Sequence, residues 1–296
     1  MKRRVHRKTS TAGVAAYLRE QLDAIVAHAP KALQTGDPKA IHQARVATRR
    51  LKALCDVAEP IVGGRGLAEL NEFGRLLRKR LGDLRDLDVL RELLVGERSA
   101  GAKWLHEQFD RERADRLAKA RRKLSAKSIA RSVKRAGRLS KLFEKTAPAL
   151  SLAVREAGHL RLDEFGALAS TRDADLHELR IAGKLLRYTL EIARVDGAAV
   201  DESLVASFKS MQDDLGHWHD RAVLATRASE AIAEHELPLK RPGLACDLAR
   251  LVERQVQLSQ KDVAKFRKHW ARRSNSIAAA IRKAMPLTRD VSKGKP

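Results

Sequence analysis

Apolar residues recur along nearly the whole chain at spacings of three and four. Ile41, Ala44, Ala47, Leu51, Leu54 and Cys55 are one such set, and Leu176, Leu179, Ala182, Leu186 and Leu190 are another. At about 100° per residue each set falls on one broad arc of a helix. No stretch alternates apolar and polar residues as a half-buried strand requires. Proline and glycine punctuate the pattern in "APKALQTGDPKA", "EPIVGGRG" and "LPLKRPG". Asp37 stands as an N-cap with Pro38 at the first helical position, where its missing N–H costs nothing. The spacing predicts helices over 11–34, 38–59, 67–82, 85–96, 102–146, 149–168, 175–195, 200–215, 219–235, 243–273 and 275–285. The expected class is all-α.

The helical pattern repeats. "IHQARVATRRLK" at 41–52 and "LHELRIAGKLLR" at 176–187 share His, Arg, Ala and Leu at matched places. "LGDLRDLDVL" at 81–90 and "LGHWHDRAVL" at 215–224 match in the same order, at nearly the same offset. Two long ordered matches imply a duplicated helical unit, and paired antiparallel bundles suit it better than a solenoid of short repeats. The expected division is a first half at 11–146 and a second at 147–286, with basic tails at 1–10 and 287–296.

Beside each apolar arc lies a stripe of one imidazole and three cations. His42, Arg45, Arg49 and Lys52 form the first, and His177, Arg180, Lys184 and Arg187 the second. Arg50 stands beside the first stripe and is counted with it. Like charges at helical spacing repel by a few tenths of a kcal/mol per pair. Phosphate oxygens would compensate, since Arg offers a bidentate fork and Lys a point charge. The Leu-Gly phrases add Arg75, Arg78 and Arg85 in one copy, and Lys209 and His219 in the other. Gly82 reads equally as a close-approach point between cations or as a helix end. Asp86 and Asp220 read as N-caps or as carboxylates that orient a basic side chain.

The charge of the whole chain points the same way. Sixty Lys and Arg stand against 37 Asp and Glu in 296 residues, a formal net charge of +23. Such an excess destabilises a compact state unless an anionic partner offsets it. Aromatic residues are only 4% of the chain, which leaves few platforms for stacking bases. The two cysteines, Cys55 and Cys246, both lie within apolar helical patterns and read as buried thiols of a reducing cytoplasm. "MKRRVHRKTS" leads to no apolar segment, so no signal peptide is expected. No apolar run approaches the roughly 18 residues of a membrane span.

Taken together, "VATRRLK" preceded by His-x-x-Arg, then "LGDLRDLDVL", then "LHELRIAGKLLRY" resemble the CHAD domain, the conserved histidine α-helical domain. The resemblance covers roughly Thr11 to Met285. It implies two pseudo-symmetric four-helix bundles whose basic surface or pore binds inorganic polyphosphate, and it places the two stripes on that site. No acid cluster for a metal and no activated nucleophile is visible, so no cofactor, metal or catalysis is expected, and attachment to polyphosphate granules would run through the polyphosphate itself. Some departures unbalance the halves: Gly183 and Leu185 stand where the first copy has Thr48 and Arg50, Ala222 answers Asp88, and Gln212 answers Arg78. The Glu-x-Glu-x-Lys sign of a triphosphate tunnel domain is missing, the nearest string being "EHELP".

Other readings stay open. Nucleic acid is a second partner for any basic protein through counterion release. His219–Asp220 matches the dyad of helical metal-dependent phosphohydrolases, although Arg221 beside it would oppose a cation. Basic helices can also lie on acidic lipid. Arg116 to Phe143 holds eleven Lys and Arg and no acid, and 263–289 is a second acid-free stretch. Nothing in the sequence says whether either faces the stripes.

Overall fold

The computed structural model describes residues 13–287, and the tails expected at 1–10 and 287–296 lie outside these residues save for Leu287. All regular structure among the described residues is helical. The elements are α1 (Gly13–Thr35), α2 (Pro38–Val62), α3 (Gly64–Leu94), α4 (Ala100–Lys123), α5 (Ala126–Ala136), α6 (Leu139–Lys145), α7 (Ala147–Ser170), α8 (Leu176–Val195), α9 (Glu202–Glu234), α10 (Leu237–Lys240) and α11 (Pro242–Ala284).

Both stripe helices start at an aspartate cap. The Asp37 carboxylate accepts from the Lys39 N–H at 3.0 Å, and Asp175 from the His177 N–H at 2.7 Å. Three expected breaks are missing. α3 runs through Gly82, α9 through Gly216, and α11 through Ser274 without interruption. A mid-helix glycine costs about 1 kcal/mol relative to alanine. Burial of Leu77, Leu81, Leu84 and Leu87 on either side of Gly82 outweighs that cost. Conversely, the single helix expected over 102–146 is three. Leu124 is extended between α4 and α5, and Ser125 caps α5 through a reciprocal capping box with Ser128.

α1, α2 and α3 pack side by side, with α4 and α5 against α1 and α3. α7, α8, α9 and α11 pack in the same serial manner, and α2 meets both α7 and α8. The main core runs through α1 to α9 and the C-terminal part of α11, centred on fully buried Phe143, Phe165, Phe208 and Phe266. Phe165 meets Trp270 edge-on at 4.9 Å and Phe208 at 5.2 Å. A second, separate cluster joins the far ends of the long helices. Leu87, Leu90 and Leu94 from α3 pack with Leu105 and Phe109 from α4, Leu224 and Ala228 from α9, and Leu248 and Leu251 from α11. There Gly101 lets α4 touch α11, for a Cβ on it would sit 2.6 Å from the Asp247 Cβ.

Cys55 is buried and its thiol is pushed up to about 12, chiefly by burial and then by Asp56. Cys246 is exposed, contrary to the expectation from its apolar neighbours. Its side of α11 faces outward, while Leu248 and Leu251 turn inward.

Candidate functional site

α2, α3, α8 and α9 enclose a cleft of about 590 Å³. Of the expected residues, His42, Arg45, Arg49, Arg50, Arg85, Arg180, Lys184, Arg187 and Lys209 line it. The two stripes therefore face each other across one space, although 135 positions separate their histidines in sequence.

The first stripe is partly neutralised. Arg45 donates to the Asp86 carboxylate at 2.6 Å and to the Gly82 carbonyl at 3.2 Å. The Gly82 position thus holds a basic side chain against α3 rather than ending the helix. Arg50 donates to Glu191 at 2.7 Å, which ties α2 to α8. Arg187 lies 3.7 Å from the same carboxylate. Burial works against the Arg50 cation, but the charge and hydrogen bond of Glu191 raise its pKa overall. Asp86 plays the orienting role expected of it. Asp220, its counterpart, lines the cleft without a hydrogen bond among the described residues, and burial raises its pKa against the pull of Arg180 and Lys184.

At the centre, Arg49, Arg180 and Lys184 have no carboxylate partner within salt-bridge distance among the described residues. Burial lowers the pKa of all three; Arg45 and Arg180 add to it at Arg49, Arg45 adds to it at Arg180 against the pull of Asp220, and Arg49, Arg180 and Arg45 add to it at Lys184. Lys184 falls furthest, to about 6, through burial and then Arg49, Arg180 and Arg45. The buried Nε of Arg180 and both amide atoms of Gln212 have no hydrogen-bond partner among the described residues. A site with unsatisfied donors and crowded cations is arranged to accept an anion with several oxygens.

The remaining expected residues lie elsewhere. Lys52 is taken up by Asp56 at 2.8 Å, one helical turn on. Arg75 pairs bidentately with Glu72, both bonds at 2.7 Å. Arg78 donates to the Thr48 carbonyl at 3.2 Å. His177 and His219 face each other with ring centroids 5.6 Å apart, outside the cleft lining. His219 is drawn down to about 4 by burial, Arg180 and Lys184. His42 lines the cleft, and burial, then Arg85, Arg45 and Arg49, lower its pKa. Neither His42 nor His177 has a ring hydrogen bond among the described residues, so neither clamps Asp86 or Asp220.

The stripes did not reveal Tyr188, Glu191 and Gln212, which also line the cleft. Glu191 was legible as the i+4 partner of Arg187. Gln212 was visible as the residue that answers Arg78 in the repeat, whereas Tyr188 carried no such signal and reads as an ordinary helical residue. Gly183 permits this packing: a Cβ there would come within 2.7 Å of the Gln212 amide nitrogen and 2.9 Å of the Phe165 ring.

Among the described residues no group of three or more His, Cys, Asp and Glu is gathered as a metal site, and no helix is long and apolar enough to cross a membrane.

The CHAD domain family model matches residues 16–229. Two solved structures share the fold. The crystal structure of the CHAD domain from the plant Ricinus communis superposes with a TM-score of 0.58 at 22% identity, over 94% of this chain and 92% of that one. PptA from Streptomyces chartreusis superposes with a TM-score of 0.55 at 18% identity, over 89% of this chain and 100% of that one. A search of curated proteins finds no match. With the family's pattern spanning most of its length, and the all-α fold to go with it, this chain belongs to the CHAD domain family.

Proposed function

We propose that this protein binds inorganic polyphosphate in the cleft between α2, α3, α8 and α9, without catalysis. The observation that carries the reading is the trio Arg49, Arg180 and Lys184, half-buried from two facing helices with no carboxylate within salt-bridge distance among the described residues, the nearby Asp220 exerting only a longer-range pull. Holding such cations together empty is costly, and a chain of phosphates relieves it along its whole length. Orthophosphate would reach only part of the cleft. The sparse aromatic content supports a ligand without bases. The two stripes act as opposite walls, and Glu191 and Asp86 hold Arg50 and Arg45 in place as parts of those walls.

The same reading makes the protein a binder rather than an enzyme, able to sit on polyphosphate granules through the ligand itself. Purified protein should release no orthophosphate from polyphosphate or nucleotides, with or without added divalent metal. Steady release with metal would instead favour the His219–Asp220 phosphohydrolase reading. The deciding experiment is a calorimetric titration of long-chain polyphosphate against single-stranded DNA, RNA and orthophosphate at one fixed salt. Polyphosphate should bind most tightly per phosphate, with a steep loss of affinity as salt rises. Tighter binding of single-stranded DNA, or no salt dependence, would sink the reading.

A further inference from the structure

The cleft does not use the basic stretch at 116–143. None of its residues lines the cleft. α5 packs on α1 and α3, and α6 on α1 and α7, whereas the cleft-lining α2 packs on α1, α3, α7 and α8. Eight of its eleven cations, Lys119, Arg122, Lys123, Lys127, Arg131, Lys134, Arg138 and Lys141, are exposed and have no hydrogen bond or ion pair among the described residues. The other three are answered: Arg116 by Glu112, Arg121 by the carbonyls of Leu33 and Gln34, and Arg135 by Glu69.

The free cations are ordered. Lys127, Arg131, Lys134, Arg138, Lys141 and Lys145 step by four and three residues. Gly137 and Arg138, between α5 and α6, keep right-handed helical dihedrals, so the stripe passes from one helix to the next without a turn away. Ile129, Ala136, Ser140 and Phe143 occupy the opposite side and are buried. At about 1.5 Å per residue the stripe is roughly 27 Å long, with a cation about every 5 Å. In the second acid-free stretch Lys268, Arg272, Arg273 and Lys283 are also exposed and unpaired among the described residues, but they form no run of three- and four-residue steps as long as that of α5 and α6. There Lys265 and His269 hold Asp214, Arg267 meets the Arg172 carbonyl, and Arg282 meets Asp163.

We infer that the α5–α6 stripe is a second polyanion surface, separate from the cleft, and that it takes double-stranded nucleic acid through its phosphate backbone. The shape of the face selects the partner. A flexible phosphate chain gains from a concave, half-buried site that surrounds it. On an outward-facing helix it would lose its freedom with no enclosure in return. A duplex is already rigid and presents one charge per about 1.7 Å of its axis. Exposed flexible lysines suit such an array, since they need only reach phosphates and read no base edge. No aromatic side chain is exposed on the stripe, so unpaired bases find no platform there. Lipid is disfavoured because an interfacial helix inserts an apolar face. That face of α5 is spent on α1 and α3, and Leu142, 38% exposed, is the only exposed large hydrophobic residue of the stretch.

The test compares two variants of the full chain. One carries Lys127→Gln, Arg131→Gln, Lys134→Gln and Arg138→Gln, which keep helix propensity. The other carries Arg180→Ala and Lys184→Ala in the cleft. Binding of a fluorescent 20-base-pair duplex is read by anisotropy across a salt series, and binding of short-chain polyphosphate by calorimetry. The stripe variant should lose more than tenfold in duplex affinity, and its log–log salt slope should fall by about 3–4, close to 0.9 per phosphate contact removed. Its polyphosphate binding should be unchanged. The cleft variant should show the reverse. If circular dichroism shows the fourfold variant unfolded, Lys127→Gln with Lys134→Gln gives the same comparison at about half the slope change. Wild-type duplex affinity and slope in the stripe variant would overturn the inference, as would loss of duplex binding in the cleft variant alone. Binding of phosphatidylserine vesicles with no binding of the duplex would assign the stripe to a membrane instead. Because the two ligands are read separately, a failure of polyphosphate binding leaves the duplex result interpretable.

Discussion

The α2 and α8 stripes share one phrase, yet they solve its electrostatics differently. Arg45 on α2 is held by Asp86 and the Gly82 carbonyl, and Arg50 by Glu191. Arg180, in the Arg45 position on α8, has no hydrogen bond among the described residues, although both arginines leave a buried Nε without a partner there. His42 lines the cleft, while His177 faces His219 outside it. A repeated phrase fixes side chains but not their surroundings. On α2 Arg45 and Arg50 are braced and Arg49 is left without a salt-bridge partner, whereas on α8 both Arg180 and Lys184 are left without one among the described residues. A ligand should be felt more strongly on α8.

The largest test of that contrast removes each arginine in turn. Arg180→Ala should weaken polyphosphate binding by about 1.5–3 kcal/mol, the worth of charge-assisted hydrogen bonds, or roughly 10- to 150-fold. Its melting temperature should hold or rise, since an unpaired half-buried cation is lost. Arg45→Ala should weaken binding less and lower the melting temperature, because the bond between α2 and α3 goes with it. A melting temperature lowered by Arg180→Ala and untouched by Arg45→Ala would reverse the assignment of braced and free walls.

Lys184 provides the next largest effect. Its pKa stands at about 6 in the folded protein against an ordinary 10.5. Between those values the unfolded chain holds a proton that the empty folded protein lacks. Stability of the ligand-free protein therefore rises with pH across that window. A bound polyanion reverses the local field and restores the proton. Affinity should then climb as pH falls from about 8 toward 6, by up to about tenfold per unit for one proton. Below about 6 this group adds nothing more. Calorimetry in buffers of different ionisation heat should show proton uptake at pH 7.5, and Lys184→Met should abolish it. Equal binding enthalpies in all buffers for the wild type would show that Lys184 keeps its proton when empty.

His42 sharpens the comparison on a smaller scale. Burial and then the cations beside it lower its pKa in the empty site, and a bound polyanion should raise it. His42→Gln should leave affinity unchanged at pH 8 and reduce it by a few fold at pH 6, whereas His177→Gln should do neither. Loss of binding at pH 8 in the His177 variant would return that histidine to the site.

The smallest effect concerns the brace itself. Asp86 is an exposed carboxylate at the cleft edge, and Asp86→Asn removes a charge that repels phosphate. Affinity should improve by about 0.2–1 kcal/mol, the range of an exposed ion pair, less than about fivefold. Weaker binding would mean that placing Arg45 matters more than the repulsion.

Much of this protein follows from local chemistry that a linear chain already displays. The helical class comes from apolar residues at three- and four-residue spacing, and the starts of α2 and α8 from Asp37 with Pro38 and from Asp175, because capping is a short-range event. The pairing of the two stripes could be anticipated from their repetition. Pairs such as Lys52 with Asp56 and Arg187 with Glu191 were equally legible at i+4, and they separate cations already answered from those still free. Tertiary packing decided the rest. The same glycine pattern ends a helix or passes through it according to how much leucine is buried around it, as at Gly82. The same lysine stays charged on an ordinary surface and loses its proton above about pH 6 when buried beside Arg49 and Arg180, because its pKa depends on burial and on charges brought from other helices. Whether a basic stretch lines a cleft or faces outward, as 116–143 does, depends on which side of the bundle its apolar residues bury, and only the packed neighbours α1 and α3 determine that.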